Sequence, residues 1–159
     1  MRDLGTPVYS KVLFSNVLQT FPDTTRIFAV FHEERMVAAG ISLWFRGRIE
    51  VPWASSIKDY KVLCPNHMLY WQAIQFAIEN GFREFDFGRS TPGEGTYNFK
   101  KQWGALPTLL NWQYLMDEEG IMPDLNPGNR KYQAAIRIWR RLPISITKML
   151  GPLIVRNIP

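Results

Sequence analysis

Apolar residues recur at helical spacing over residues 11–21, at Val12, Phe14, Val17, Leu18 and Phe21, behind a serine able to accept an early amide. The pattern predicts a helix over Lys11–Thr20, capped by Ser10 and stopped by Pro22-Asp23. Ile, Val and Phe then crowd Arg26–Phe31 and Met36–Phe45, parted by the polar His32-Glu33-Glu34-Arg35, which is a hairpin signature. A tight turn at Arg46-Gly47-Arg48 leads into Ile49–Ala54, so three strands form an antiparallel meander. Pro52 cannot donate to a ladder, and the third strand is expected to be irregular there. A helix over His67–Asn80, capped by Asn66 and ended by Gly81, carries two apolar stripes, Leu69/Ala73/Phe76/Ala77 and Trp71/Ile74/Ile78, and is expected to be largely buried. A strand at Arg83–Phe87, a short helix at Thr96–Trp103 and a strand at Leu109–Met116 follow. Together these elements predict an α/β (α+β) fold, a mixed, mainly antiparallel sheet with packed helices.

After Pro123 the turn Asn126-Pro127-Gly128-Asn129 marks an expected boundary, dividing a domain of residues 1–127 from a C-terminal tail of residues 128–159. In the tail, Tyr132, Ala135, Ile136 and Trp139 form an apolar helical stripe opposed by Arg130, Lys131, Arg137, Arg140 and Arg141. A second apolar stretch, Ile144–Leu150, is expected to end at Gly151-Pro152. Charge sharpens this division. Residues 1–128 hold 12 basic and 14 acidic side chains, whereas residues 129–159 hold 7 basic and none acidic, so the whole basic excess lies in the tail. Such a tail can dock on the domain, lie on an anionic membrane surface, or contact RNA phosphates.

Composition narrows the chemistry. The single cysteine, Cys64, excludes an internal disulfide and any thiolate cluster, and is expected to be a small buried side chain rather than a nucleophile. His32 and His67 have no ligand spacing around them, so no metal is expected. Without an apolar signal segment or a run of 18 apolar residues, the chain is expected to be cytoplasmic, with a peripheral contact to the inner membrane surface open to residues 129–159.

The densest chemistry lies between the strand at Phe85-Asp86-Phe87 and Trp103. Its turn gathers Arg89, Ser90, Glu94, Tyr97 and Lys100 among Gly88, Gly93 and Gly95, on a loop longer than an ordinary connection. Arg89 can clamp a carboxylate or phosphate, or brace the loop against Asp86 or Glu94. Glu94 can accept a proton from an amine if its pKa is raised. Trp53, Tyr70 and Trp71 line either a cleft or the core.

The stretches Val51-Pro52-Trp53-Ala54-Ser55-Ser56, Pro65-Asn66, Leu69-Tyr70-Trp71, Phe85-Asp86-Phe87-Gly88-Arg89-Ser90 and Gly95-Thr96-Tyr97-Asn98-Phe99-Lys100-Lys101-Gln102-Trp103-Gly104 resemble the FemAB-like branch of the GNAT acyltransferase superfamily. They are most similar to its exosortase- and PEP-CTERM-associated members. The resemblance covers about Leu4 to Met116 and matches the second of the family's two GNAT-like halves, which implies a missing N-terminal half as partner. It places Phe99, Lys100, Trp103 and Gly104 on the family's Phe-Lys-x-x-(aromatic)-Gly signature, whose lysine lies at the reaction centre of peptidoglycan-modifying relatives.

The resemblance implies an acyl or aminoacyl transferase acting on an amine of a cell-wall precursor or an exopolysaccharide amino sugar, a small-molecule or lipid-linked glycan substrate. Lys100 and Glu94 are the expected catalytic groups, with Arg89, Ser90, Tyr97, Trp53, Ser55 and Phe99 binding substrate. An ammonium at Lys100 suits a reaction that passes through an oxyanion. Ordinary GNAT enzymes hold the coenzyme A pyrophosphate on a glycine-rich loop before the central helix. Here that junction is Lys61-Val62-Leu63-Cys64-Pro65-Asn66-His67, without glycine. Acyl-CoA and aminoacyl-tRNA are therefore both open as donors, and tRNA is a candidate partner. The alternative is a non-catalytic GNAT-like half that recruits a glycan-assembly complex at the membrane surface.

Overall fold

The structure, a computed structural model, describes residues 5–111, 113 and 130–156, with residues 130–132 described by their backbone alone. These divide into two compact units, one of residues 15–106 and one of the described residues on either side of that stretch. The boundary expected between residues 127 and 128 lies outside the described residues.

Helix α1 (Lys11–Thr20) starts where the pattern places it, with the Leu13 amide donating to Ser10 Oγ at 3.1 Å. None of its residues is buried. A single 3-10 turn at Pro22–Thr24 follows, and the Thr25 hydroxyl donates to the Phe21 carbonyl at 2.6 Å as the first strand begins.

The sheet holds β1 (Thr25–His32), β2 (Arg35–Phe45), β3 (Arg48–Ser56) and β4 (Glu84–Asp86) in the order β1-β2-β3-β4. The meander pairs are antiparallel and β4 joins β3 in parallel. Ile41 pairs with Trp53 and Leu43 with Glu50, so the register shifts opposite Pro52, where the missing N–H predicts it. β4 is shorter than the five residues expected. The Arg83 amide is already taken by the Gly47 carbonyl at 2.9 Å, and no ladder extends past Asp86.

Helix α2 (Pro65–Glu79) lies on one sheet face, burying Leu69, Ala73 and Ala77 with Val37, Ala38, Ile49 and Val51. Each fully buried aliphatic chain contributes roughly 1.5–3 kcal/mol. Phe28 and Trp44 extend this layer against Phe76, at ring separations of 5.7 and 5.6 Å. The second expected stripe is not buried, since Trp71 is 45% and Ile78 70% exposed. A helix on one sheet covers a single stripe, and nothing in this sheet reaches the other.

The start of α2 also differs from expectation. It begins at Pro65, so Asn66 lies inside the first turn and no side chain caps the helix. Cys64 precedes it in a left-handed conformation (φ 49°) with its thiol exposed rather than buried.

Helix α3 (Gly95–Gln102) docks on α2 through aromatic rings. Phe99 meets His67 at 5.0 Å and Tyr70 at 5.3 Å, and Trp103 stacks on Trp71 at 6.5 Å. The strand expected at Leu109–Met116 is not formed at residues 109–111 and 113, where Leu109 and Leu110 are exposed, and its remaining positions lie outside the described residues.

In the other unit, α4 (Arg130–Arg141) buries Trp139, whose indole donates to the Thr6 carbonyl at 3.2 Å. Helix α5 (Ile144–Val155) continues through Gly151-Pro152 instead of ending there. Pro152 removes one amide from the ladder, but the carbonyl it would have bonded belongs to exposed Lys148, where water can serve it. Gly151 presses its bare Cα against Val8, leaving no space for a side chain. Among the described residues no helix is long and apolar enough to cross a membrane.

Candidate active site

The alternation of β3 turns Ile49 and Val51 toward α2 and Arg48 and Glu50 toward the opposite face. Parallel pairing then sets Arg48 beside Glu84 and Glu50 beside Asp86. Arg48 Nε donates to Glu84 Oε2 at 2.7 Å, and its Nη1 lies 3.8 Å from Asp86 Oδ2. The ladder stops at the Glu50–Asp86 pair, because Pro52 offers no amide and the chain turns away after Phe87.

Asp86 Oδ1 accepts the Gly88 amide at 2.7 Å and so fixes the turn leaving β4. Gly88 adopts φ 68°, and a Cβ there would stand 3.1 Å from Glu50 Oε1, so the Glu50 carboxylate lies against a bare backbone. Lys100 reaches this turn from α3. Its Nζ donates to the Gly88 and Arg89 carbonyls, at 2.9 Å each. The preceding Phe99, held between His67 and Tyr70, orients the helix that delivers it.

Electrostatics bind the three groups into a cluster. Burial pushes the Lys100 ammonium below the usual lysine range, and the nearby Asp86 and Glu50 carboxylates oppose that. Burial, then repulsion from Asp86, raises Glu50 above the ordinary carboxylate range against the pull of Lys100 and Arg48. Tyr70, behind the cluster, is raised by burial. An ammonium has three donors, and two are used by the turn carbonyls. One remains for a ligand oxygen. No salt bridge holds Lys100 among the described residues.

One concavity reaches the cluster at Glu50, and another lies at the start of α2. The first, of about 550 Å³, is lined by Glu50 and Arg48 and extends to Arg46, Arg83, Phe45 and Phe21. A smaller one of about 140 Å³ lies at the start of α2, where Lys61, Asn66, His67 and Ser56 meet Phe99. Among the described residues no group of three or more His, Cys, Asp or Glu could hold a metal ion.

The structure scatters some of the residues expected from sequence. Glu94 precedes α3 with its side chain exposed, and it caps the helix only through its carbonyl, which accepts the Asn98 amide at 3.0 Å. The carboxylates felt by Lys100 are Asp86 and Glu50. Arg89 is exposed and holds Lys100 with its backbone oxygen. Ser90 Oγ is buried without a hydrogen-bond partner among the described residues. Tyr97 is half-buried on α3. Trp53, half-buried, and Ser55, exposed, lie further along β3 than Glu50, by about 10 and 17 Å of strand. Glu50 is the residue sequence reasoning passed over. Its signal is a carboxylate between two aliphatic residues in a strand, but only the lateral register with β4 places it beside Asp86.

Residues 1–101 match the acetyltransferase (GNAT) domain family. A Lipid II:glycine glycyltransferase of Staphylococcus saprophyticus is 30% identical over 127 residues, which is 70% of this chain and 29% of that protein. The chain therefore spans less than a third of the relative's length. An aminoglycoside acetyltransferase, meta-AAC0020 from an uncultured soil sample in complex with sisomicin, superposes with a TM-score of 0.54 at 15% identity, over 65% of this chain and 74% of that one. AAC(6')-Iy in complex with a CoA bisubstrate analogue gives 0.54 at 11% identity, over 67% and 77%. These likenesses show the fold: a mixed α/β GNAT fold with a mainly antiparallel sheet and packed helices.

Proposed function

The chain belongs to the acetyltransferase (GNAT) domain family, and from that premise we propose that it transfers an acyl or aminoacyl group to an amine on a cell-wall precursor or an exopolysaccharide amino sugar, as one half of a FemAB-like transferase. The reading is carried by the Lys100 ammonium, anchored by two carbonyls beside Glu50 and Asp86, at the point where the β3–β4 ladder ends. The likeness to a Lipid II:glycine glycyltransferase supports a lipid-linked acceptor.

In this reading the acceptor amine attacks the carbonyl carbon of the donor, and the oxygen that gains the electron pair is met by the third N–H of Lys100. An oxyanion forms only after the ground state, so a fixed ammonium lowers the barrier more than it strengthens substrate binding. Glu50, rather than the exposed Glu94, accepts the proton released from the amine, and its raised pKa makes it a stronger base than an ordinary carboxylate. Collapse of the intermediate restores the carbonyl and expels the donor's sulfur or ribose oxygen, which takes up a proton. Arg89 and Ser90 hold the substrate at the loop. Lys61 at the α2 start lines the smaller concavity, where a phosphate can sit.

Donor identity separates the versions of this proposal. The purified chain is incubated with a small amine and either acetyl-CoA or glycyl-tRNA, and the amide product is read by mass spectrometry. Without glycines before α2, saturable acetyl-CoA binding at micromolar concentration is not expected. Finding it would turn the reading to an ordinary acetyltransferase. Transfer from neither donor would favour a binding half without chemistry.

A further inference from the structure

The larger concavity meets the reaction cluster at Glu50 and extends from there to the β2–β3 hairpin. Phe45 and Arg48 pair across a two-residue hairpin loop in which Arg46 (φ 50°) and Gly47 (φ 82°) are both left-handed. Such loops favour Asn-Gly, and an arginine at the first position is strained unless something holds it. Here the Arg46 guanidinium lies 5.0 Å over the Phe45 ring, and its carbonyl accepts Arg83 Nη2 at 3.2 Å. Arg83 in turn lies across the bare Cα of Gly47, where a Cβ would come within 3.2 Å of its Nε. Two guanidinium groups are thus gathered on one hairpin tip, and neither forms a salt bridge among the described residues. Arg48, by contrast, is already committed to Glu84 and Asp86.

Arg46, Arg83 and Glu50 line one concavity of about 550 Å³, with Phe21 and Phe45 also in its walls. From Gly47 to Glu50 is three residues of strand, about 10 Å. We propose that Arg46 and Arg83 form an anion subsite of the acceptor, holding a phosphate or carboxylate about 10 Å from the amine presented to Glu50 and Lys100. This rests on the transferase reading for the identity of the reacting end, while the anion end stands on the hairpin alone. Guanidinium forks recognise both anions in two-point contacts, and the aromatic walls suit an uncharged spacer between the two charges. The acceptor class is therefore an amine joined to an anionic group through a spacer, and acceptors with the two groups adjacent engage only one end.

The full chain, labelled with nitrogen-15, is titrated with four probes while its amide signals are followed by NMR. 6-Aminohexyl phosphate and 8-aminooctanoate, which can span the site, are expected to shift signals from Phe45 to Glu50 and at Arg83 in one saturable transition. Whichever binds tighter identifies the anion as phosphate or carboxylate. Inorganic phosphate is expected to shift the hairpin end alone, and hexylamine neither end. Arg46→Ala and Arg83→Ala should each weaken the spanning probes about tenfold. Shifts elsewhere, or affinities untouched by both variants, overturn the subsite. The two readings fail separately. Acyl transfer with KM unchanged in both variants sinks the subsite and leaves the transferase, whereas probe binding without any transfer leaves the subsite and sinks the transferase.

Discussion

Replacing Lys100 by methionine keeps the length and apolar stem of the side chain and removes its three donors. Two of those donors hold the turn, at 2.9 Å to Gly88 O and Arg89 O. A hydrogen bond from a charged donor contributes about 1.5–3 kcal/mol, but the Arg89 bond is exposed and water replaces it. Burial of the ammonium opposes the rest, so the net loss of stability is about 1 kcal/mol. For a unit of this size that lowers Tm by about 4–8 °C. In the proposed reaction the third donor acts only on the oxyanion, and its loss should lower kcat by about 10²–10³-fold with KM nearly unchanged. Calorimetry and steady-state kinetics on the intact transferase read both quantities. Exposed Lys101 changed to methionine is the control and should alter neither. Turnover of Lys100→Met within a few-fold of normal would refute the oxyanion role. A large rise in KM with kcat preserved would place the lysine in ground-state binding instead.

Three further outcomes follow from the geometry. Glu50 carries its charge at a cost because burial raises its pKa, so that cost is present above the folded pKa and disappears as pH falls to the unfolded value. In the proposed reaction Glu50 acts as the charged base, so activity should drop as pH falls through a value above the ordinary carboxylate range, set with Asp86, Lys100 and Arg48 as neighbours. Glu50→Gln should abolish that limb in a pH–rate profile. Gly151→Ala forces a methyl to within 2.8 Å of the Val8 backbone and should cost about 1–3 kcal/mol, measured by denaturant unfolding. We propose that the seven basic residues of 129–159, with Met149 and Leu153 exposed on α5, contact anionic lipid. Vesicle binding should then fall with salt and with Arg137, Arg140 and Arg141 changed to Glu. Binding indifferent to both would exclude the contact.

Local rules determined much of this protein. The Ser10 cap, the two hairpins, the irregularity at Pro52 and the helix bearing Phe99 and Lys100 all depend on neighbours within a few residues, and such information is written linearly in the chain. The loop from Gly88 to Lys100 was legible as a chemical locus for the same reason, because glycines and reactive side chains crowd one stretch. Tertiary structure decided the rest. Whether Trp71 and Ile78 are buried depends on a second surface, and the sheet covers only one side of α2. The helix runs on through Pro152 with the Lys148 carbonyl open to water, and Gly151 packs on Val8, far away in sequence, a contact no local rule announces. Glu94, in the reactive loop, is the base the sequence suggests, and Glu50 carries no local mark of that role. Only the parallel register of β3 with β4 sets Glu50 next to Asp86 and the lysine, since lateral strand order is a long-range choice that no local pattern encodes.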